Sequence, residues 1–382
     1  KGFYKKGGWK MKLRRLSKIL AVFFIPLLLV GCFNYRDINK VSFATSIIFD
    51  TDDFGRAIVY VDCVKPYRST NESSDKGKRI IYKGIGKTAL EALRDVNLAS
   101  SYELNYSQNR AYIFTEKATR NGIKRYVDLI NNNQEFQIKP YMFIYFGEVD
   151  ELLKITSSDE EYLGLYLEEL VHKNKRNPRA MRANINDYLS NSITASYTYI
   201  VGAIEIREDA LDKKIEIGGG AIIKDNKLVE KIDSKDAMSY NLFMNNIRRG
   251  TLEMSNPQSQ QGFITLDILD NSTESKLKYD GENITLVKNL EMKVSVAEIQ
   301  GRLIVDNELL KYIKDVKEEE IESYLKDIFN KYKEKQIDVF EVERLLDIYY
   351  PKAAVYNPIA NTNLEVNVNL IVEGTGLVKD SL

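Results

Sequence analysis

Two cysteines and a single histidine restrict the covalent and metal chemistry open to these 382 residues, and only Cys32 stands in a setting that prepares it to react. Leu28-Leu29-Val30-Gly31-Cys32 closes an apolar run that begins at Ile19, an arrangement that resembles a lipobox. The chemistry requires that cysteine, because only a thiol becomes the thioether to diacylglycerol. The small Gly31 fits the pocket of the peptidase that cuts between Gly31 and Cys32. A basic stretch, Lys12-Leu13-Arg14-Arg15-Leu16-Ser17-Lys18, precedes the run as in a secretory leader. The run of 13 residues, interrupted by Pro26, is too short to cross a hydrocarbon core of ~30 Å, which takes ~20 residues of helix. The expected modification is a covalent diacylglycerol lipid on Cys32, whose two acyl chains give a stable membrane anchor where one would bind marginally.

Other candidates are weaker. Gly86-Lys87-Thr88 imitates the end of a phosphate-binding loop, but Ile81 stands where the leading glycine of GxxxxGK[ST] belongs, so a helix start is expected. Asp50, Asp52 and Gly55 imitate a calcium loop, yet Phe54 fills a ligand position and Val61 replaces the bidentate Glu, which leaves a hairpin turn. Gly218-Gly219-Gly220 lies between β-type runs and reads as a bulge or turn. His172 is expected at a solvated helix end, beside C-terminal carbonyls. The pairs Glu160-Glu161 and Glu168-Glu169 are adjacent on helices and read as solvent-facing. Cys63, alone once Cys32 is acylated, sits in a strand pattern and reads as a small buried hydrophobe. Neither a GxSxG elbow nor an HExxH pair is present. No catalytic residue, metal ligand or bound cofactor is expected, and no enzyme.

The elements around these residues follow from apolar spacing. Val41–Asp50 and Ala57–Val64 read as a hairpin, Ile80–Gly84 as a strand and Thr88–Ser100 as a helix. Residues 66–79 read as an exposed loop. Arg110–Thr115 and Pro140–Phe146 are expected strands, with helices over Gly122–Asn131, Glu148–Lys154 and Ser158–Lys173. Ser196–Ile204 reads as a strand, and Ile215–Glu230 as a hairpin around Asp225-Asn226-Lys227. Ser234 is expected to cap a helix reaching Asn246. An antiparallel meander follows, with turns at Asp280-Gly281 and Asn289. Leu309, Ile313, Val316, Ile321, Leu325, Ile328 and Tyr332 recur mainly at spacings of three and four, which predicts a long helix over residues 308–333. Val339–Tyr349 is a second helix stopped by Pro351. Leu364, Val366, Val368, Leu370 and Val372 alternate along a last strand.

The fold class expected is α+β: about three mixed α/β domains with largely antiparallel sheets, after a lipoprotein signal peptide. The divisions are residues 1–31 (leader and signal peptide), 32–200, 201–275 (a small middle domain) and 276–382. Residues 1–10 are read as untranslated leader before Met11, since Lys6-Gly7-Gly8 can be encoded by a ribosome-binding sequence. The net charge of zero is uneven. The first 31 residues hold eight basic and no acidic residues, and the other 351 carry 47 basic against 55 acidic, about −8. A body of that sign repels phosphate backbones, and no nucleic-acid partner is expected.

Cys32-Phe33-Asn34-Tyr35-Arg36-Asp37-Ile38 resembles the mature N-terminus of the Ger(x)C spore germination lipoproteins, with Phe33 in place of the usual Trp and Asn34 in place of Asp. Gly84-Ile85-Gly86-Lys87-Thr88-Ala89-Leu90-Glu91-Ala92-Leu93 is similar to the family's Gly-x-(Thr/Ser)-x-x-Glu-Ala stretch. The run from Gly219 to Val229 is similar to its Gly-x-Ala-(Val/Ile)-(Phe/Ile)-Lys-x-x-Lys-(Leu/Met)-Val block. Asp338-Val339-Phe340 resembles its Asp-x-Phe segment, except that Glu341 replaces the following Gly. Asn367-Val368-Asn369 and Gly374-Thr375-Gly376 resemble the closing strand and the terminal Thr-Gly. The resemblance covers residues 32–376 in order. It implies the C subunit of a nutrient germinant receptor, partnered by A and B membrane subunits. It also implies a family fold of three α+β domains and a place on the outward face of the spore inner membrane. A non-catalytic role in assembly and signal coupling is the expectation. The rival is a membrane-anchored extracytoplasmic lipoprotein that binds a small ligand, which requires a cleft with convergent polar groups.

Overall fold

Short apolar runs build the first sheet. The computed structural model describes residues 40–65, 78–155, 160–173, 177–191, 198–259 and 261–373. Its strands are β1 (Val41–Thr51), β2 (Ala57–Lys65), β3 (Lys78–Gly86), β4 (Glu103–Asn105), β5 (Ala111–Thr115), β6 (Tyr141–Tyr145), β7 (Thr198–Glu208), β8 (Lys213–Lys224) and β9 (Lys227–Ile232). The order across the sheet is β3-β2-β1-β5-β6-β7-β8-β9, with β4 paired to β1. The four central strands β1, β5, β6 and β7 run parallel, and antiparallel strands flank them. Parallel strands need crossovers and are covered on both faces, which explains why every residue of β5 is buried.

The covering helices are α1 (Ala89–Ala99), α2 (Glu116–Asn121), α3 (Lys124–Asn132), α4 (Val149–Lys154), α5 (Leu163–Lys173) and α6 (Ile185–Asn191). Strand alternation divides the core between two faces. Phe49, Tyr112, Phe114 and Ile144 pack with Leu93 of α1, Ala118 of α2, Tyr126 of α3 and Tyr188 of α6. Ile48, Ile113, Phe143 and Tyr145 pack with Leu152 of α4 and Leu167 of α5. The result is three layers, helix on sheet on helix.

The second part comprises α7 (Ser234–Phe243), β10 (Gly250–Ser255), β11 (Phe263–Tyr279), β12 (Ile284–Ile299), α8 (Asn307–Glu334), α9 (Val342–Tyr349) and β13 (Thr362–Val372). Its sheet has the order β10-β11-β12-β13, antiparallel except for the parallel β12/β13 pair. The helix α8 starts at Asp306, whose Oδ1 accepts from the Leu309 N–H at 2.8 Å. Its buried stripe, Leu309, Ile313, Ile321, Leu325, Ile328, Phe329 and Tyr332, shares a core with Leu266, Leu286, Met292 and Val294 of the sheet. Each such side chain, fully buried, contributes about 1.5–3 kcal/mol. Strand β13 is an edge, and α8 blunts it: the Leu370 N–H donates to Glu318 Oε1 at 2.7 Å.

Mixed helix and strand with mostly antiparallel pairing agrees with the expected class. The expected boundaries at 200 and 275 fall inside β7 and β11, and β7, β8 and β9 hydrogen-bond into the same sheet as β1. A shift in composition marks where helices give way to strands, whereas a sheet continues as far as its hydrogen bonds do. Asn289 is not a turn. Strand β12 runs through it, because its side chain lies on the solvent face and accepts from Asn367 Nδ2 at 2.9 Å. Asp233, rather than Ser234, is the N-cap of α7, which ends at Phe243, short of Asn246. The expected hairpin at Asp225-Asn226 is present, with both residues left-handed at φ of 52° and 62°, as a two-residue turn that follows strand twist requires.

Candidate functional site

Gly31 and Cys32, the expected cleavage and lipidation positions, lie outside the described residues, as do most of the 66–79 loop and Gly374-Thr375-Gly376. The remaining sequence candidates have structural explanations. At Gly86-Lys87-Thr88, Thr88 Oγ1 accepts from the Glu91 N–H at 3.1 Å and Glu91 Oε2 accepts from the Lys87 N–H at 2.7 Å, close to a capping box. A Cβ on Gly86 would lie 2.4 Å from the Ala92 nitrogen, so this glycine brings the strand against α1 and cradles no phosphate. Asp52 closes the β1–β2 turn through the N–H groups of Phe54 and Arg56. Gly219, at φ +77°, exchanges backbone hydrogen bonds with Arg179 and Met181, and a Cβ there would meet the Ile232 carbonyl at 2.0 Å.

His172 is exposed in the last turn of α5, in edge contact with Tyr141. Cys63 is fully buried, and burial pushes its thiol far above the ordinary range, the opposite of a reactive thiolate. Of the acidic pairs, Glu168 lies 3.5 Å from Arg110 and Glu160 accepts from the Tyr162 N–H. Among the described residues no group of three or more His, Cys, Asp or Glu could hold a metal, and no helix is long and apolar enough to cross a membrane.

Of the buried charged groups, Asp62 and Lys288 escaped sequence reasoning, and Asp338 was singled out only as part of a family-like segment. Asp62 on β2, with 0% exposure, accepts from Arg79 Nε at 3.0 Å and from the Leu163 N–H at 3.1 Å. Arg79 Nη1 also donates to the Ile155 carbonyl at 2.7 Å, so this pair ties β2 and β3 to α5 and to the end of α4. Burial pushes the Asp62 carboxyl up, and Arg79 pulls it down. Lys288 on β12 is 1% exposed; its Nζ donates to the Phe243 carbonyl at 3.0 Å and Ser275 Oγ at 2.7 Å, and lies 4.2 Å from the centre of the Phe243 ring. Burial lowers its pKa to about 7. Asp338, pushed up by burial, accepts from the N–H groups of Phe340, Val342 and Glu343 and so closes the start of α9.

Above Asp338 lies a cleft of about 360 Å³. The segment Ala180–Arg182, the start of β7, the C-terminal half of α7 and the first turn of α9 enclose it. Glu341 enters the left-handed region at φ 62° and ψ 29°, and its carboxylate holds Arg344, with Nε at 3.0 Å. Tyr240 Oη donates to the Val339 carbonyl at 3.2 Å, and Asn241 Nδ2 to the Pro178 carbonyl at 2.8 Å. Burial pushes the phenols of Tyr199 and Tyr240 up, and nearby carboxylates, Glu341 among them, add to it. Apart from Asp338, Val339 and Glu341, which fall on the Asp-x-Phe stretch noted in the sequence, these residues come from distant parts of the chain. The one local clue is Glu341, which occupies a backbone conformation that favours glycine.

The family described as Spore germination protein N-terminal domain matches residues 34–206, and that described as Spore germination B3/GerAC like, C-terminal, matches residues 218–376. The chain is 24% identical to Spore germination protein GerQC of Bacillus cereus over 336 residues, covering 88% of this chain and 90% of that protein. It is 25% identical to Spore germination protein B3 of Bacillus subtilis (strain 168) over 278 residues, covering 69% and 70%. In fold it is similar to the crystal structure of the GerBC protein, with a TM-score of 0.53 at 16% identity, over 88% of this chain and 100% of that one.

Proposed function

Because the chain belongs to the Ger(x)C family of spore germination proteins, we propose that it is the lipid-anchored C subunit of a nutrient germinant receptor. In this reading it is non-catalytic and supports assembly and signal coupling with the A and B membrane subunits. The observation that carries the reading is the order of the two family domains, which together extend from residue 34 to residue 376. The names of its relatives place them in spore germination.

The lipobox supplies the physical role. A diacylglycerol on Cys32 holds the chain at the membrane, on the outward face of the spore inner membrane. Docking onto the A and B subunits then becomes a local search at raised effective concentration, without a large contact area. The test is the Cys32→Ala chain, expressed with its partner subunits in sporulating cells. The expected result is a native mature chain that begins at a diacylglycerol-bearing Cys32 in the membrane fraction, and a variant that leaves that fraction and fails to support germination. A variant that stays in the membrane and signals normally contradicts the anchoring role.

A further inference from the structure

Side chains of β11 and β12 fasten the C-terminal end of α7 to the second sheet, and one of these fastenings carries a titratable group. Thr273 Oγ1 donates to the Leu242 carbonyl at 2.8 Å, Asn271 Nδ2 donates to the Ile247 carbonyl at 3.2 Å, and Asn245 Oδ1 accepts from the Thr273 N–H at 3.0 Å. None of these titrates. The Phe243 carbonyl is held by Lys288 Nζ, and the Phe243 ring packs on Phe329 and Phe340, with centroids at 6.1 Å and 4.5 Å. Lys288 pairs with Ser275 on β11 and Val366 on β13. The charged residues beside them, Glu274, Lys276 and Glu365, and Glu291 of β12 itself, are exposed on the opposite face of the sheet. Asp236, in the first turn of α7, is engaged by Lys331 of α8, and Asp338 by the N–H groups at the start of α9. Burial keeps the phenols of Tyr240 and Tyr332 protonated. Among the described residues, Glu341, itself engaged by Arg344, is the charged group whose field reaches Lys288.

We propose that Lys288 is a pH-sensitive latch, whose uncharged amine holds the end of α7 against the sheet and whose protonation favours release of that end. An amine has two N–H donors and a lone pair. It donates to the Phe243 carbonyl and accepts the Ser275 hydroxyl proton, and the 2.7 Å separation from Ser275 Oγ serves either direction. An ammonium has three donors and no lone pair, and beyond those two oxygens its third N–H meets the Phe243 ring and no polar acceptor among the described residues. The carbonyl end of a helix and a ring face favour the charge, but they replace only part of the water that a lysine 1% exposed has given up. Burial accordingly lowers its pKa to about 7. When the end of α7 lifts and water reaches Nζ, the ordinary value of 10.5 returns, so acid favours the lifted arrangement. The consequence falls on the cleft above Asp338, because Tyr240, Asn241 and Met244 of that same end line it. The latch needs neither the lipid nor the partner subunits, so its failure would leave the proposed receptor role intact.

The test is hydrogen exchange of the full chain in detergent, read by mass spectrometry in peptides covering residues 240–247 and corrected for the intrinsic pH dependence of exchange. The Met244 and Asn246 amides, bonded to the Tyr240 and Asn241 carbonyls, report on the end of α7. Their protection should rise roughly 20-fold from pH 6.5 to pH 8.5, as follows for one lysine with a pKa of about 7 when enclosed and 10.5 when released. Peptides from the middle of α8 should show no such rise, since the opening is local. Lys288→Met, never charged, and Lys288→Arg, charged throughout, should each abolish the rise at the end of α7. The comparison of α7 with α8 in the wild type decides even where a variant fails to fold. Corrected protection at the end of α7 that stays constant with pH in the wild type would overturn the latch. So would the same rise in a folded Lys288→Met chain, or an equal rise in α8, which would mean that the whole chain unfolds together.

Discussion

Replacing Lys288 by Met should change how stability depends on pH, and the size of the effect follows from the site. The ammonium is 1% exposed and has one carbonyl, one hydroxyl and one aromatic face around it, with no carboxylate in ion-pair contact among the described residues. Burial lowers its pKa from 10.5 to about 7, and the Glu341 carboxylate, farther off, draws it part of the way back. Between those values the unfolded chain holds a proton that the folded chain does not, so stability rises with pH by about 1.4 kcal/mol per unit. The penalty is absent above the unfolded pKa and complete below the folded one. Over the whole window it is worth about 4–5 kcal/mol.

Methionine matches the length of lysine and carries no charge, so the variant should lose this slope. It also leaves the Phe243 carbonyl without its donor, a cost of about 1–3 kcal/mol that is independent of pH. Urea unfolding followed by circular dichroism from pH 6.5 to 9 measures both. The expected result is a wild-type midpoint that rises with pH relative to the Lys288→Met midpoint, with the variant at its greatest relative advantage at the acidic end. Parallel midpoint curves across that range would refute the argument, because they would mean that the lysine keeps the same charge in both states.

Asp62→Asn should destabilise the fold by about 3–5 kcal/mol in the same unfolding assay, since it strands Arg79 in the core, whereas apolar replacement of both partners should cost much less. Glu341→Gly should stabilise by about 1 kcal/mol through relief of a left-handed backbone, offset in part by the lost contact with Arg344, and should be read as an increase in urea midpoint. Thr88→Ala should cost about 1 kcal/mol by removing the cap of α1, and faster amide exchange in the first turn of that helix would localise the loss.

The parts of the fold legible in the sequence are those whose signal is local. The spacing from Leu309 to Tyr332 announced α8 to within one residue at each end, because one long stripe has only one way to be buried. The alternation from Leu364 to Val372 gave β13, and Asp225-Asn226 gave the β8–β9 turn through the two left-handed residues it needs. Helix α2, Glu-Lys-Ala-Thr-Arg-Asn, was missed because six mostly polar residues have no stripe; Thr115 caps it through the Ala118 N–H, and Ala118 and Thr119 carry its buried contact. The apolar runs at β5 and β6 identified strands but not partners, since nothing along a strand names its neighbour. The same holds for the cleft, where Arg182, Tyr199, Tyr240 and Glu341 meet only through the fold. The proposed acylation site is the opposite case: a lipobox is a short stretch, so a pattern such as that around Gly31-Cys32 is looked for without any tertiary structure.

The central claim is that this chain works as one member of a membrane receptor. Affinity capture of the tagged chain from detergent-solubilised inner membranes of dormant spores, with quantitative mass spectrometry of what elutes, tests it most directly. The account predicts that the A and B subunits co-elute with the tagged chain in fixed proportion. Recovery of the chain without either subunit, from membranes that contain both, would contradict it.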